Sequence, residues 1–189
     1  MSVLVEHQGP WTVDDVFALP DLGDGQRHEL VDGALLVSPA PGLEHQRAAG
    51  RLRTLLAAVA PVGTDVVEAM GVVLPAGLFI PDVVVTTADV APRELKATDV
   101  VAVVEIVSPT SRRQDRLLKP ACYAEAGIPT FWRVELDAEG GPEVVVHRLD
   151  GDVYREEALL RAGETAEIPW PFPVSLDPAT LIGPPAPQS

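Results

Sequence analysis

The sequence predicts an α/β fold of mixed α+β type, in which a central mixed sheet carries helices on its faces. Short β-branched apolar runs at 83–85 and 100–104, each bounded by polar or turn residues, are typical of buried strands. Apolar residues at helical spacing within 43–60 predict an amphipathic helix. The pair Asp150-Gly151 between two apolar stretches predicts an extra antiparallel hairpin near the C-terminus.

Length and composition favour one globular domain. The chain has 189 residues, of which 47% are hydrophobic and 22% charged. We expect the domain to span 11–180, with flexible tails at 1–10 and 183–189. No apolar run approaches the roughly 18 residues of a membrane span and no signal segment is present, so we expect a cytoplasmic protein. Cys122 is the only cysteine, which excludes a disulfide framework within one chain.

The first half of the chain is expected to alternate helices with hairpins. Thr12 and Asp15 form a capping-box pattern, which predicts the start of a short helix. Asp32-Gly33 is a strong hairpin signal, because both residues tolerate the backbone of a tight turn. The expected elements are the helix from Thr12, a hairpin over 28–37, the helix at 43–60, and paired strands at 65–74 and 79–86.

The second half is expected to complete the sheet and to cover it. The Trp-Pro-Phe-Pro segment at 170–173 cannot join a central strand, so we expect it to lie across the surface with its aromatic residues packed inward. The other expected elements are a strand around 100–104, a helix over 112–125, a strand at 130–136, and hairpin arms at 143–149 and 152–158.

Two acidic residues stand at the edges of the buried runs. Asp82 follows Pro81 directly before the first run, and Glu105 interrupts the second, where an acid has no packing reason to be. A carboxylate near a sheet core is costly unless it is paired, hydrogen-bonded or bound to a metal. We therefore expect these two acids to have a partner. The alternative for Asp82 is a structural acid that is hydrogen-bonded to neighbouring amides.

The helix that follows Glu105 carries the one dense basic cluster of a chain whose formal net charge is -14. Two acids on adjacent strands with a basic helix leaving the same end suit a divalent metal ion and a phosphodiester. The acidic composition speaks against a large non-specific nucleic-acid surface, although it allows a small one. The cationic residues of this helix are Arg112, Arg113, Arg116 and Lys119.

Strand, Pro-Asp, strand, Glu and basic helix in this order resemble the PD-(D/E)xK nuclease superfamily. Further stretches make the chain similar to the Uma family of bacterial restriction-endonuclease-like proteins, over roughly 11–149. The motifs are specific in combination and weak singly. The matching stretches are 28–33, 44–46, 80–83 and 104–109, then Asp115, Lys119, Tyr123 and 127–129.

The resemblance implies a restriction-endonuclease-like core and a Mg²⁺ (or Mn²⁺) ion held by Asp82, Glu105 and the carbonyl of Ile106. The superfamily places a lysine two residues after the second acid, where this chain has Val107. The resemblance therefore implies that Lys119 takes the lysine role.

Other residues are given weaker roles by the same resemblance. Arg116 is the second candidate for the lysine role. Glu29 matches an acid that assists the metal or orients water, although a plain edge-strand acid is equally consistent with its position. His45 is a candidate phosphate contact or general base, against the alternative of an ordinary helical histidine. The candidate phosphate contacts are His45, Arg112, Arg113 and Arg116.

Two functions follow as hypotheses. The first is a Mg²⁺-dependent nuclease that hydrolyses phosphodiester bonds of DNA. The second is a catalytically inactive nuclease-like module that binds nucleic acid or a protein partner. We also expect a homodimer, because the Val-rich stretch at 143–146 has the composition of an exposed sheet edge that invites pairing.

Overall fold

The structure is a computed structural model that describes residues 7–20, 25–88, 93–108 and 111–183. The expected tails lie mostly outside these residues. The helices are α1 (Val13–Phe17), α2 (Leu43–Val59) and α3 (Lys119–Glu125), with a π-helical turn at Gln114–Leu118 and 3₁₀ turns at Ala97–Asp99 and Pro178–Leu181. The strands are β1 (Arg27–Val31), β2 (Ala34–Ser38), β3 (Asp65–Glu68), β4 (Val72–Leu74), β5 (Gly77–Phe79), β6 (Val83–Thr86), β7 (Leu95–Lys96), β8 (Val100–Val107), β9 (Thr130–Glu135), β10 (Glu143–Asp150), β11 (Val153–Arg161), β12 (Ala166–Ile168) and β13 (Val174–Leu176).

A mixed sheet forms the centre of the fold, as the sequence predicts. Its strand order is β11-β10-β9-β8-β6-β3, with β8 and β9 parallel and the other pairs antiparallel. Successive residues of β6 face opposite sides, so Val83 and Val85 pack in the core beneath α2, whereas Val84 packs in the core that contains Tyr123 of α3. Both faces are covered, which is why β6 and β8 are apolar apart from Thr86 and Glu105.

A second sheet of five short strands, in the order β2-β1-β5-β4-β7, packs beside the first. The sequence analysis did not predict it. The expected strands at 65–74 and 79–86 are each broken: their ends near the turn, β4 and β5, pair in the small sheet, and β3 and β6 pair in the central sheet. Pro81 lies at one break and Ala69, with a positive φ of 51°, at the other. Proline has no amide hydrogen for a ladder, which explains why the first break falls there.

The two Asp-Gly hairpins form as predicted. β1 pairs with β2 across Asp32 and Gly33, which have φ angles of 48° and 78°, the left-handed values that this tight turn requires. β10 pairs with β11 across Asp150-Gly151. The surface cover also forms, because Phe172 is buried and Trp170 packs against the same core cluster.

The sheet-edge argument for a homodimer is wrong. β10, which contains the stretch 143–146, is hydrogen-bonded to β9 on one side and to β11 on the other, so it is an inner strand. The edges of this sheet are β11 and β3. No helix in the described part of the chain combines the length and the apolar character that a membrane crossing needs.

Candidate active site

A cleft of about 650 Å³ opens between the start of α2 and the segment that leads into α3. Its floor consists of charged side chains from β1, from β8, from Asp82 directly before β6 and from the helical segment. Its wall is the connection between β2 and α2. The cleft therefore opens over the ends of the two strands that carry the acids identified from the sequence. The lining residues are Arg27, Glu29, 37–45, Asp82, 105–108, Ser111, Gln114, Asp115, Lys119, Leu136 and Asp137.

Asp82 directly follows Pro81, at the break between β5 and β6. Main-chain hydrogen bonds on both sides fix its position. Its amide donates to the carbonyl of Val104 at 3.1 Å, and its own carbonyl accepts from the amide of Ala69 at 3.2 Å. The side chain is buried, and its Oδ2 accepts from the Ile106 amide at 2.7 Å. Asp82 thus bridges β6 and β8 through both its main chain and its carboxylate.

Two cationic or polar partners complete the surroundings of the Asp82 carboxylate. Arg27 of β1 forms an ion pair with Oδ1, and His45 Nε2 lies 3.2 Å from Oδ2. Burial opposes ionisation of this carboxyl, but His45, Arg27 and the Ile106 amide outweigh burial and hold the pKa of Asp82 below its usual value. The carboxylate is therefore charged at neutral pH.

Glu105 is the most deeply buried acid of the cleft floor, and its side chain points to the α3 face of the sheet. Tyr123 donates a hydrogen bond to Oε1, and Lys119 Nζ lies 3.2 Å from each carboxylate oxygen. Burial raises the pKa of Glu105 well above its usual value; Lys119 opposes that rise, and the charge of Asp82 adds to it. Burial thus makes ionisation of Glu105 costly, and Lys119 is the principal counter-charge that favours it.

Lys119 is surrounded by three carboxylates. Its Nζ lies 3.1 Å from Glu29 Oε1, 3.2 Å from Glu105 and 3.6 Å from Asp115 Oδ1. Burial opposes the charge on this lysine, but the three acids outweigh burial and raise its pKa. The ammonium group is therefore permanently charged, and it holds together side chains from β1, β8 and the π-helical turn.

Glu29 and Asp115 are each held by a second contact. Glu29 Oε1 accepts from the Ile80 amide at 2.8 Å, and Asp115 accepts a hydrogen bond from the Ser111 hydroxyl. Burial raises the pKa of Asp115, while Lys119 and Ser111 oppose the rise. We call Glu29, Glu105, Asp115 and Lys119 the buried charge cluster.

The π-helical turn explains how Asp115 and Lys119 reach the cleft. Pro120 has no amide hydrogen, and in an α-helix its ring would collide with the carbonyl of Arg116. The chain instead forms a wider turn in which the Lys119 amide donates to the carbonyl of Gln114, five residues earlier. Within this turn Asp115 and Lys119 are buried, whereas the residues between them, 116–118, are exposed.

The floor holds more acidic groups than basic ones. The acids Asp82, Glu29, Glu105 and Asp115 face two permanent cations, Arg27 and Lys119, together with His45. Burial opposes ionisation of Glu105 and Asp115. An additional cation at the floor would favour the ionised form of these acids.

The donor set fits a hard divalent cation. Mg²⁺ binds through one or two carboxylates and keeps several waters. Asp82 Oδ2 and the Ile106 carbonyl oxygen lie beside each other at the floor, since His45 Nε2 is 3.2 Å from the first and 3.1 Å from the second. Across the described ranges, no group of three or more His, Cys, Asp or Glu side chains is arranged to hold a metal by side chains alone. A site here needs the carbonyl of Ile106 and water as further ligands.

His45 is placed differently from an ordinary surface histidine. Both neighbours of Nε2 are acceptors, so this nitrogen carries the hydrogen. The other ring nitrogen, Nδ1, is buried and has no hydrogen-bond partner among the residues described. Among the described residues, His45 therefore has partners for Nε2 and none for Nδ1.

The three arginines of the basic helix do not line the cleft. Arg116 forms two hydrogen bonds of 2.8 Å with Glu135 on the surface, and its side chain is 46% exposed. Arg112 and Arg113 are exposed beside Ser111 and Gln114, which do line the cleft. These two residues are at the rim of the cleft, and Arg116 is engaged elsewhere, which leaves Lys119 as the cation of this helix at the floor.

Two partners of the site were missed by the sequence analysis. Arg27 stands two residues before Glu29 on β1, so the alternation of a strand puts both on one face, and this spacing was the available signal. Tyr123 was noted only as part of the resemblance. It lies one helical turn after Lys119, which places both on the face that meets Glu105.

Comparisons with known proteins agree with this architecture. A crystal structure described as a putative nuclease belonging to DUF820 from Anabaena variabilis ATCC 29413 has 16% sequence identity and a TM-score of 0.65, over 85% of this chain and 90% of that chain. At this identity the likeness shows the fold alone, which is restriction-endonuclease-like. No curated protein sequence matches the chain.

The sequence itself matches a family profile over residues 13–180, which is most of its length. The profile is that of Uma2, described as "Putative restriction endonuclease". The resemblance drawn from the Pro-Asp, Glu and basic-helix pattern is therefore confirmed. The chain belongs to the Uma2 family of putative restriction endonucleases.

Proposed function

We propose that this protein is a cytoplasmic, Mg²⁺-dependent nuclease that hydrolyses phosphodiester bonds of DNA. One observation carries the proposal: Asp82, Glu105, the Ile106 carbonyl and Lys119 line one cleft, whose floor holds more acidic groups than basic ones. Burying several carboxylates beside two permanent cations is costly, and a bound metal ion would offset that cost.

In this proposal Asp82, Glu105 and the Ile106 carbonyl hold the metal. When bound, Mg²⁺ (or Mn²⁺) would act as a Lewis acid on the phosphoryl oxygen and favour deprotonation of a water molecule. Lys119 stabilises the negative charge that develops on the phosphate. Glu29, 3.1 Å from Lys119 Nζ, orients that ammonium group and the attacking water.

The polar groups around the floor have supporting roles. His45, with its Nε2 hydrogen directed at the floor, is a phosphate contact once the substrate replaces its present acceptors. Arg112 and Arg113 contact the flanking phosphates from the rim. Arg116 could join them only by leaving Glu135, so it is the weakest candidate of the group.

Cleavage of plasmid and oligonucleotide DNA with Mg²⁺, with Mn²⁺ and with EDTA tests the proposal. We expect cleavage that requires the metal and that is lost in Asp82→Asn and Glu105→Gln. Glu157→Gln is the matched control, because this substitution makes the same chemical change at an exposed residue of β11, away from the cleft. Cleavage that persists in EDTA contradicts the metal-dependent mechanism.

Calorimetric titration separates the nuclease from the inactive nuclease-like module. Val107 at the usual lysine position favours the module, because Lys119 must reach the substrate from the next helix. Metal binding without cleavage of any DNA would support the module, and absence of metal binding would contradict the nuclease as proposed. The homodimer stays a prediction, and sedimentation at the monomer mass of 20.1 kDa would contradict it.

A further inference from the structure

Most cations of this protein already have a partner within the chain. The chain has 14 Lys and Arg residues, and a protein that contacts about 6–10 phosphates of duplex DNA draws a large, salt-dependent share of its affinity from those contacts. The side chains already engaged with carboxylates, carbonyls or aromatic rings are Arg27, Arg51, Arg53, Arg93, Arg116, Lys119, Arg133, Arg148, Arg155 and Arg161.

The remaining cations give a small phosphate-binding surface. Among the described residues, Arg47, Lys96, Arg112 and Arg113 form no such contact. Only Arg112 and Arg113 adjoin residues that line the cleft. A substrate at the floor therefore meets about two free cations, far fewer than duplex binding requires.

The wall of the cleft is apolar, in contrast to its floor. We call Val37, Pro39, Ala40, Pro41 and Leu43 the apolar wall; all five line the cleft. Val37 is 50% exposed and Leu43 is 62% exposed, although large apolar side chains are usually buried. Because this wall borders the acidic floor, a ligand that reaches the floor with its phosphate presents its neighbouring atoms to an apolar surface.

A base-paired duplex does not suit this arrangement. Its outer surface is a row of phosphates and sugars, which gain nothing from Val37 and Leu43, while its base faces are stacked inside. A single strand has unstacked bases whose faces pack on apolar and aromatic side chains. The cleft, at about 650 Å³, also has the size of sites that enclose one drug-sized ligand, which is comparable to a nucleotide.

We infer that the substrate is a single-stranded segment of DNA, whose scissile phosphate reaches the floor of the cleft while a neighbouring base packs against the apolar wall. This inference rests on the proposed nuclease function and narrows its substrate class. Because the base packs on the apolar wall without hydrogen bonds to its edges, the protein should bind single strands of any base sequence.

Fluorescence anisotropy with Ca²⁺ in place of Mg²⁺ tests the preference, using a labelled 12-nucleotide single strand and a blunt hairpin duplex of the same sequence. We expect at least tenfold tighter binding of the single strand. With about two phosphate contacts, the slope of log K against log salt should be near -1.5. Equal or tighter binding of the duplex, or a slope steeper than about -4, would overturn the inference.

Variants of the apolar wall provide the second test. Val37→Asn and Leu43→Asn together should weaken single-strand binding about tenfold, while duplex binding changes little. Val62→Asn is the matched control, since Val62 is fully exposed and does not line the cleft. Because these three side chains are exposed, circular dichroism should show folded protein in every case. If the wall variants instead convert a dimer to a monomer and leave DNA binding unchanged, the wall is an interface between copies and the inference fails.

Cleavage assays distinguish this inference from the function on which it rests. Metal-dependent cleavage of intact duplex with no cleavage of single strands would overturn the single-strand preference and leave the nuclease in place. Failure to bind or cleave either form, in protein that is folded, would contradict both. Cleavage of single strands and of frayed ends, with blunt duplex resistant, is the result we expect.

Discussion

Lys119 and Arg116 are three residues apart in one helical segment, and both pair with carboxylates, yet their surroundings differ. Lys119 is buried among Glu29, Glu105 and Asp115. Arg116 is 46% exposed and meets Glu135 alone, in an ideal two-bond geometry. The better geometry belongs to the pair whose cation is half exposed to water, and the worse geometry to the pairs whose cation is buried.

The difference shows that burial decides what these ion pairs contribute. In water, Coulomb attraction is weak and the two side chains lose freedom when they pair. In the interior, removing one partner leaves the others charged and without solvent. Removal of the shared cation of the buried charge cluster should therefore be costly, whereas the surface pair should tolerate substitution.

The largest expected effect is that of Lys119→Met, which keeps the length of the side chain and removes its charge. Three acids lose their shared cation, so we expect the free energy of unfolding to fall by about 3 to 5 kcal/mol. Urea denaturation without metal measures it. A variant as stable as the wild type would show that the acids are neutral in the folded state and need no cation.

Tyr123→Phe should have the next largest effect. It removes the hydroxyl that donates to buried Glu105, while the ring keeps its contact with Phe79. We expect a loss of about 1 to 3 kcal/mol, because a buried charged acceptor loses one donor. Thermal melts compared with those of Tyr154→Phe, whose hydroxyl donates to a neutral carbonyl instead, should show the larger loss for Tyr123.

Glu105→Gln sharpens the comparison by removing charge without removing volume. Lys119 keeps Glu29 and Asp115, so stability without metal should stay within about 1 kcal/mol of the wild type. At a Mg²⁺ concentration ten times its dissociation constant, the wild type should gain about 1.4 kcal/mol, and the variant should gain nothing. Melts with EDTA and with Mg²⁺ measure both. A variant that Mg²⁺ still stabilises would remove Glu105 from the ligand set.

Arg116→Met is expected to have the smallest effect, at about 0 to 1 kcal/mol. Because the pair is exposed, even this loss should disappear in 1 M salt, where the screening length is about 3 Å. The loss in Lys119→Met should persist under the same conditions. An Arg116 variant that is destabilised as strongly as the Lys119 variant would contradict the role given to burial.

The strands and hairpins were predictable because their signals are local. The β-branched runs and the Asp150-Gly151 turn predict strands of the central sheet, and the Asp32-Gly33 turn predicts the hairpin of β1 and β2 in the second sheet. An acid inside the 100–107 run points to an unusual environment for Glu105. The broken strands at 65–74 and 79–86 were not predicted. Pairing with β1 and β7 draws their tips into a second sheet, and neither partner is a neighbour in the sequence.

The candidate site was predictable in its acids but not in how their charges are paired. Asp82 and Glu105 follow from the pattern, whereas Lys119 depended on a family resemblance. Arg27 reaches Asp82 across 55 positions of the chain, and no local spacing reports such a contact. The sequence analysis predicted a continuous helix over 112–125 and overlooked Pro120, which lies directly after the π-helical turn and the Lys119 that follows it.

The π-helical turn determines the direction in which each residue of the following helix points from the helix axis. Each residue of an α-helix advances the chain by about 100° around the axis, so a turn with one additional residue rotates the next segment by about that angle. A relative that lacks one residue between Asp115 and Lys119 closes this segment as an ordinary α-helical turn and keeps the residues on both sides in the same direction. An alignment that places a gap there therefore pairs residues that point the same way, whereas an alignment without the gap pairs residues about 100° apart around the axis. Lysines of relatives in this region should be compared by the direction in which they point from the helix axis. The number of residues between the lysine and the acid that matches Glu105 is a poorer guide.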